Sequence, residues 1–165
     1  MRLGGILLTF ALAVGATAAH AAEAATPLSM LVAAVAPAPP DERPAGPLVY
    51  ARIDISDQTM TVYVTDQVAY TFKVSTARRG YITPAGFYKA EWLSPRHRSR
   101  KYDNAPMPWA VFFHGGYAVH GTTDIRNLGR PASHGCVRLH PDNAKTFFSL
   151  VKQAGMENTQ IVVVN

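Results

Sequence analysis

From Leu48 onward apolar and polar positions alternate. Val49, Ala51, Ile53 and Ile55 are interleaved with Tyr50, Arg52 and Asp54; Ser56-Asp57-Gln58 turns the chain; Met60, Val62 and Val64 are interleaved with Thr61, Tyr63 and Thr65. Period two predicts half-buried strands, and two such runs joined by a polar turn predict a β-hairpin. Asp66-Gln67 turns again into a strand from Val68 to Val74, and further strands are predicted from Gly86 to Leu93, Trp109 to Phe113, Tyr117 to His120 and Gln160 to Val164. Short strands with polar turns predict a mostly β domain, an antiparallel sandwich or barrel-like fold.

One stretch has a helical period instead. Ala144, Phe147, Phe148 and Val151 recur at i, i+3, i+4 and i+7, with Pro141 at the first helical position, Asp142 at the positive end of the dipole, and Gly155 ending the run. This apolar stripe is expected to pack on the sheet and to carry no chemistry.

The pattern before Leu48 is different. Arg2 supplies a basic start, Ile6 to Val14 form an apolar core, and Ala19-His20-Ala21 reads as a cleavage site, which predicts a secretory signal peptide over residues 1–21. The apolar run is too short for a membrane span, so no stable membrane insertion is expected. No cysteine lies near the cleavage site, which excludes lipoprotein processing. Residues 22–47 are rich in Ala and Pro and read as an extended linker, with a short helix conceivable around Met30 to Val35. About 120 residues then remain, enough for one domain over 48–165.

Charge narrows the partners. The formal charge is +5, falling to +4 when the leader with Arg2 is removed, and the densest basic run is Arg96-His97-Arg98-Ser99-Arg100-Lys101. Such a run suits an anionic polymer or a solvated loop. Nucleic acid is a poor candidate for an exported chain with no recognisable nucleic-acid module, and an acidic cell-wall polymer fits the compartment better.

The candidate chemistry centres on the chain's one cysteine. Cys136 lies in Ser133-His134-Gly135-Cys136-Val137-Arg138, and His120 opens His-Gly-Thr upstream. In an oxidising compartment a lone thiol is either intermolecular or reactive. A neighbouring imidazolium would lower its pKa and make a usable nucleophile. With Tyr117 to His120 as a strand, His120 can face the 133–138 turn as its base. Gly121 and Gly135 would let backbone approach a substrate, and the N–H groups of Gly135 and Cys136 could form an oxyanion hole. Arg138 offers a forked cation to a substrate carboxylate. Ser133 and His134 are expected to shape the turn and polarise the site. His114, His120, His134, Cys136 and His140 supply zinc-ligand types, but their spacing matches no compact zinc motif. His140 falls at a helix N-terminus, where a cap is expected. Met107, Trp109 and Tyr117 could wall the cleft, although core is the commoner place for such side chains.

His120-Gly121-Thr122, Leu128-Gly129-Arg130-Pro131 and Ser133-His134-Gly135-Cys136-Val137-Arg138-Leu139 together resemble the signature of the L,D-transpeptidase catalytic domain (YkuD type). The resemblance extends to the opening hairpin over 49–64, to Thr83-Pro84-Ala85-Gly86, and to the closing helix and strand over 143–164. It implies a mostly β domain that remodels peptidoglycan in the periplasm, at the cell wall. Cys136 would attack the carbonyl of the third residue of a tetrapeptide stem, releasing D-alanine, with His120 as proton shuttle. The acyl group would pass to an amine of another stem, to the terminal lysine of an outer-membrane lipoprotein, or to a free D-amino acid. No metal or organic cofactor is implied. Gly115 and Gly116 match a strand-edge segment that lies along substrate in relatives, and Arg138 stands where some members have asparagine. Two other readings are left by the sequence: hydrolysis through the same thioester, and a non-catalytic peptidoglycan-binding module. The loops Arg78 to Ile82 and Arg96 to Asn104 would build the acceptor pocket. A monomer is expected.

Overall fold

The computed structural model describes residues 48–165; the expected signal peptide and the Ala/Pro-rich segment lie outside the described residues. Nine strands and one helix follow in the order β1 (Val49–Asp54), β2 (Thr59–Val64), β3 (Gln67–Lys73), β4 (Gly86–Lys89), β5 (Trp92–Arg98), β6 (Pro106–His114), β7 (Tyr117–Gly121), β8 (Val137–Leu139), α1 (Pro141–Ala154) and β9 (Thr159–Val164). They form a five-stranded sheet in the order β3-β2-β1-β9-β4 and a four-stranded sheet in the order β5-β6-β7-β8.

Alternation sets what each sheet buries. Val49, Ala51 and Ile53 of β1, Met60 and Val62 of β2, and Ile161 and Val163 of β9 turn inward from the first sheet. They meet Val111, Phe113, Val119, Val137 and Leu139 from the second, with Ala144, Phe147, Phe148 and Val151 of α1 completing the core. The helix begins as its sequence predicts: His140 accepts a hydrogen bond from the Asp142 N–H, Pro141 follows it, and Gly155 ends the element at φ 90°. No helix among the described residues is long and apolar enough to cross a membrane.

Three expectations are corrected. The sheets are mixed rather than antiparallel, because β1 pairs with β9 and β7 with β8 in parallel. Parallel neighbours need a long connection, which the chain supplies between its two ends for the first pair and through residues 122–136 for the second. The single strand expected from Gly86 to Leu93 is two. The Ala90 N–H bonds to Thr159 O in the first sheet and the Glu91 N–H to Phe112 O in the second, so the chain changes sheets between them. Finally, Arg96, His97 and Arg98 of the basic run belong to β5 rather than to a loop.

A local irregularity shapes the second sheet. Trp109 adopts φ 57°, an uncommon conformation for a bulky residue, and the side-chain alternation of β6 breaks there. Met107 and Phe112, an odd number of residues apart, therefore lie in one small apolar cluster with Ala110 and Ala118. Across the ladder their partners His97 and Trp92 come together in the same way.

Candidate active site

The outer face of the second sheet floors a cavity of about 770 Å³. The β7–β8 ladder sets His120 opposite Arg138. Cys136, two residues before Arg138, shares that face by alternation, while Val119 and Val137 point into the core. His120, Cys136 and Arg138 all line the cavity. Cys136 rests against the cluster of Met107, Ala110, Phe112 and Ala118, and its Sγ donates to Gly116 O at 3.8 Å, a long sulfur contact.

His120 is buried, and its Nδ1 lies 2.8 Å from Gly121 O. A carbonyl only accepts, so Nδ1 carries the proton and Nε2 keeps its lone pair. Burial pushes the imidazole pKa down to about 4, helped by the Arg138 charge. Burial also pushes the Cys136 thiol up, against a smaller downward pull from the backbone at Ala118 and from Arg138. The imidazolium expected beside a low-pKa thiol is therefore replaced at neutral pH by an imidazole and a thiol. Desolvation is the largest cause at both groups, the buried His120 and the half-buried Cys136.

Three segments hold the turn that carries Cys136. Ser133 is buried, and its Oγ accepts the Gly135 N–H at 3.0 Å, so that N–H, expected in an oxyanion hole, is already engaged. Thr83 Oγ1 donates to Gly135 O at 2.8 Å and accepts from the Ala77 N–H at 3.0 Å. Gly135 has φ 129°, and a Cβ there would sit 2.7 Å from Tyr117 Cε1 and 2.8 Å from Ile82 O. Its missing side chain thus makes room for protein, not for substrate. The same holds for Gly121, where a Cβ would lie 3.1 Å from both Pro108 Cγ and Pro141 Cα. Gly115 and Gly116 form the two-residue turn between β6 and β7, line the cavity and have open space where a Cβ would be.

His134 joins three segments. Arg78 Nη2 lies 2.7 Å from its Nε2, the Tyr102 ring stacks on it with centroids 4.4 Å apart, and Tyr81 meets it edge-on at 4.7 Å. Desolvation, with the nearby charges of Arg78, Arg138 and Lys101, lowers its pKa, so the neutral ring can accept from Arg78. The segment Arg78 to Ile82 and the loop after β5, both expected at the acceptor side, are thereby brought together over the turn that carries Cys136.

Arg138 reaches Asp124 Oδ2 at 3.5 Å and Ala132 O at 3.4 Å. Asn127 Nδ2 holds both Asp124 oxygens, at 2.9 and 2.8 Å. The other expected zinc-ligand types do not converge on the site. His114 stacks on Tyr117 and meets Tyr88 at a tilt, and His140 caps the helix. Trp109 packs with Phe148 toward the core, whereas Met107 joins the cavity wall. Sequence reasoning missed Tyr102, Asp124 and Thr83. Only Thr83, before Pro84 in a turn, and Asp124, an acid in a basic region, carried any local signal.

This arrangement can be set beside known proteins. The L,D-transpeptidase catalytic domain family matches residues 49–164. No curated protein matches the chain. Among solved structures, an L,D-transpeptidase from Mycobacterium smegmatis is 26% identical with a TM-score of 0.63, the match covering 72% of this chain and 59% of that one. One from Stackebrandtia nassauensis is 25% identical with a TM-score of 0.64, covering 78% and 61%. One from Mycobacterium tuberculosis, at 22% identity and a TM-score of 0.65 over 73% and 59%, shares the fold. The chain thus spans less than two thirds of the length of these structures. With its family signature around Cys136 and its sandwich of two mixed sheets, the chain belongs to the L,D-transpeptidase catalytic domain family.

Proposed function

We propose that this protein is a cysteine-dependent L,D-transpeptidase acting on peptidoglycan stem peptides. The observation that carries the reading is the placement of His120 on β7 and of Cys136 immediately before the parallel neighbour β8, both lining one cavity, with Arg138 opposite His120. The carbonyl carbon of the third stem residue meets Cys136 Sγ while His120 Nε2 takes the thiol proton. Starting from a neutral pair, the proton moves as the S–C bond forms, so no exposed thiolate waits in the resting enzyme. The tetrahedral intermediate expels D-alanine, whose amine takes the proton back from His120. The thioester left on Cys136 is then attacked by an amine, His120 removing that amine's proton and returning it to sulfur. Arg138, polarised by Asp124 yet partly exposed, presents remaining donors to a substrate carboxylate. The Gly115-Gly116 turn borders the stem.

The leader pattern over residues 1–21 supports export, and peptidoglycan as substrate fits a periplasmic, wall-associated place. A lipoprotein lysine is an alternative acceptor of the same chemical type.

Mass spectrometry of tetrapeptide muropeptides incubated with the protein and with Cys136→Ala tests this. Cross-linked dimers lacking one D-alanine, made only with Cys136, are expected. Tripeptide alone would assign hydrolysis, and Cys136-independent binding without product would assign a binding module.

A further inference from the structure

The cavity extends well past the catalytic strands, and its far side is built from aromatic rings. Trp92 on β5 lies flat on Phe112 of β6, centroids 3.7 Å apart and planes 4° apart. His97 meets both rings edge-on, at 5.4 Å from Trp92 and 4.9 Å from Phe112. All three line the same cavity as Cys136. Trp92 is nonetheless 40% exposed. Phe112 covers one of its faces, so this exposure falls on the opposite face and the ring edge. The result is a flat apolar surface braced from behind, with an imidazole edge beside it.

The platform owes its existence to the irregularity at Trp109. Regular alternation would have turned either Trp92 or His97 away from the cavity, and the broken alternation of the β5–β6 hairpin brings both to one side. The main core does not need these rings, because Phe112 belongs to the separate outer cluster.

We infer that the Trp92–His97 platform is a saccharide subsite that seats a pyranose ring of the glycan to which the stem peptide is attached. The inference rests on the peptidoglycan reading above. Chemistry and distance carry it. The axial C–H face of a hexose is apolar and slightly positive, which matches the negative face of an indole ring, and an imidazole edge can hydrogen-bond the sugar's hydroxyl or acetamido group. Sheet order β5-β6-β7-β8 puts the platform three ladder spacings from the strand that follows Cys136, about 14 Å. Three residues of stem reach back from the attacked carbonyl over at most about 11 Å, and the ether arm joining peptide to sugar makes up the remainder.

Two measurements test this. First, the ratio of kcat/KM on a disaccharide-tetrapeptide to that on the sugar-free tetrapeptide is compared across variants. The expected wild-type preference is about tenfold, the size of one good aromatic contact. Trp92→Ala should reduce it below about twofold, while Trp92→Phe retains most of it. An equal loss on both substrates would overturn the subsite. Second, Cys136→Ala protein is titrated with a β-1,4-linked N-acetylglucosamine disaccharide while its two indole N–H resonances are followed. A shift of Trp92 with Trp109 unmoved is expected. No shift, or a shift evoked instead by an N-acetylated lysine, would overturn it. If the transpeptidase reading itself fails, wild type makes no Cys136-dependent product from either peptide, and the saccharide titration still decides the subsite.

Discussion

The Tyr102 ring lies flat on the His134 imidazole, planes 13° apart, and so ties the loop between β5 and β6 to the turn that carries Cys136. Lys101 adds a cation 5.4 Å from the outer part of the same stack. An aromatic contact of this kind is worth about 0.5–1.5 kcal/mol beyond its burial. Tyr102→Ala should therefore raise KM for the stem peptide by about three- to tenfold with little change in Tm, whereas Tyr102→Phe should stay near wild type. Steady-state kinetics beside a melting curve check this. A loss of Tm matching the loss of activity would make Tyr102 a fold residue only.

His120 links the site to stability. Its folded pKa of about 4 lies below the ordinary 6.5, so between these values the unfolded chain binds the proton more readily. Stability is then full above pH 6.5 and falls as the pH drops toward 4, by on the order of 3 kcal/mol. His120→Gln should flatten that limb of the Tm against pH curve. An unchanged limb would place the titration elsewhere.

Cys136, half-buried in the cavity wall, should behave as a high-pKa thiol until substrate arrives. With its pKa raised by desolvation, alkylation by iodoacetamide should be slow at pH 7 and still rising above pH 9. Arg138→Ala removes a cation that pulls the thiol down, so its alkylation curve should move to higher pH. A plateau near neutrality would establish a resting thiolate–imidazolium pair instead.

Gly135→Ala places a methyl group 2.8 Å from the Ile82 carbonyl oxygen at a backbone angle that side chains rarely adopt. Both effects act at the nucleophile's own turn. The variant should lose at least about 2 kcal/mol of stability and fall a hundredfold or so in acylation, as near-attack geometry is lost. Gly115→Ala is the contrast: it has φ 53° but nothing within 4 Å of the new Cβ, so the cost is about 1 kcal/mol. Denaturant melts and mass-spectrometric acylation rates distinguish the two.

Much of the fold was legible because it rests on periodicity. The inward residues of β1, β2 and α1 were readable from spacing alone: Val49, Ala51, Ile53, Met60, Val62, Ala144, Phe147, Phe148 and Val151 are buried, while Ile55 and Val64 at the hairpin's ends are half-buried. The strand β8 was not, since three residues at the end of the Ser133–Leu139 motif are too few to show a period. Nor was the break at Ala90–Glu91, which is decided by long-range partners in two different sheets. At the site, His120, Cys136 and Arg138 announced themselves by residue type and motif. Their protonation states did not, because desolvation is a property of the packed fold. Tyr102 and Trp92 act through contacts to residues far along the chain, His134 and Phe112, which local sequence does not encode.

The direct pairing of β7 with β8 has a consequence for how such a site can diversify. His120 is paired with Arg138 in a hydrogen-bonded ladder that Cys136 directly precedes, so their relative place is set by that ladder and not by the length of the segment that joins them. Within that segment Asn127 holds Asp124 and the Gly129 N–H bonds to Val74 O, so the exposed tip at Ile125 and Arg126 is where residues can be added without disturbing the placement of His120 and Cys136. A library varied only at that tip would leave the β7–β8 register, and with it the relative placement of His120 and Cys136, constant.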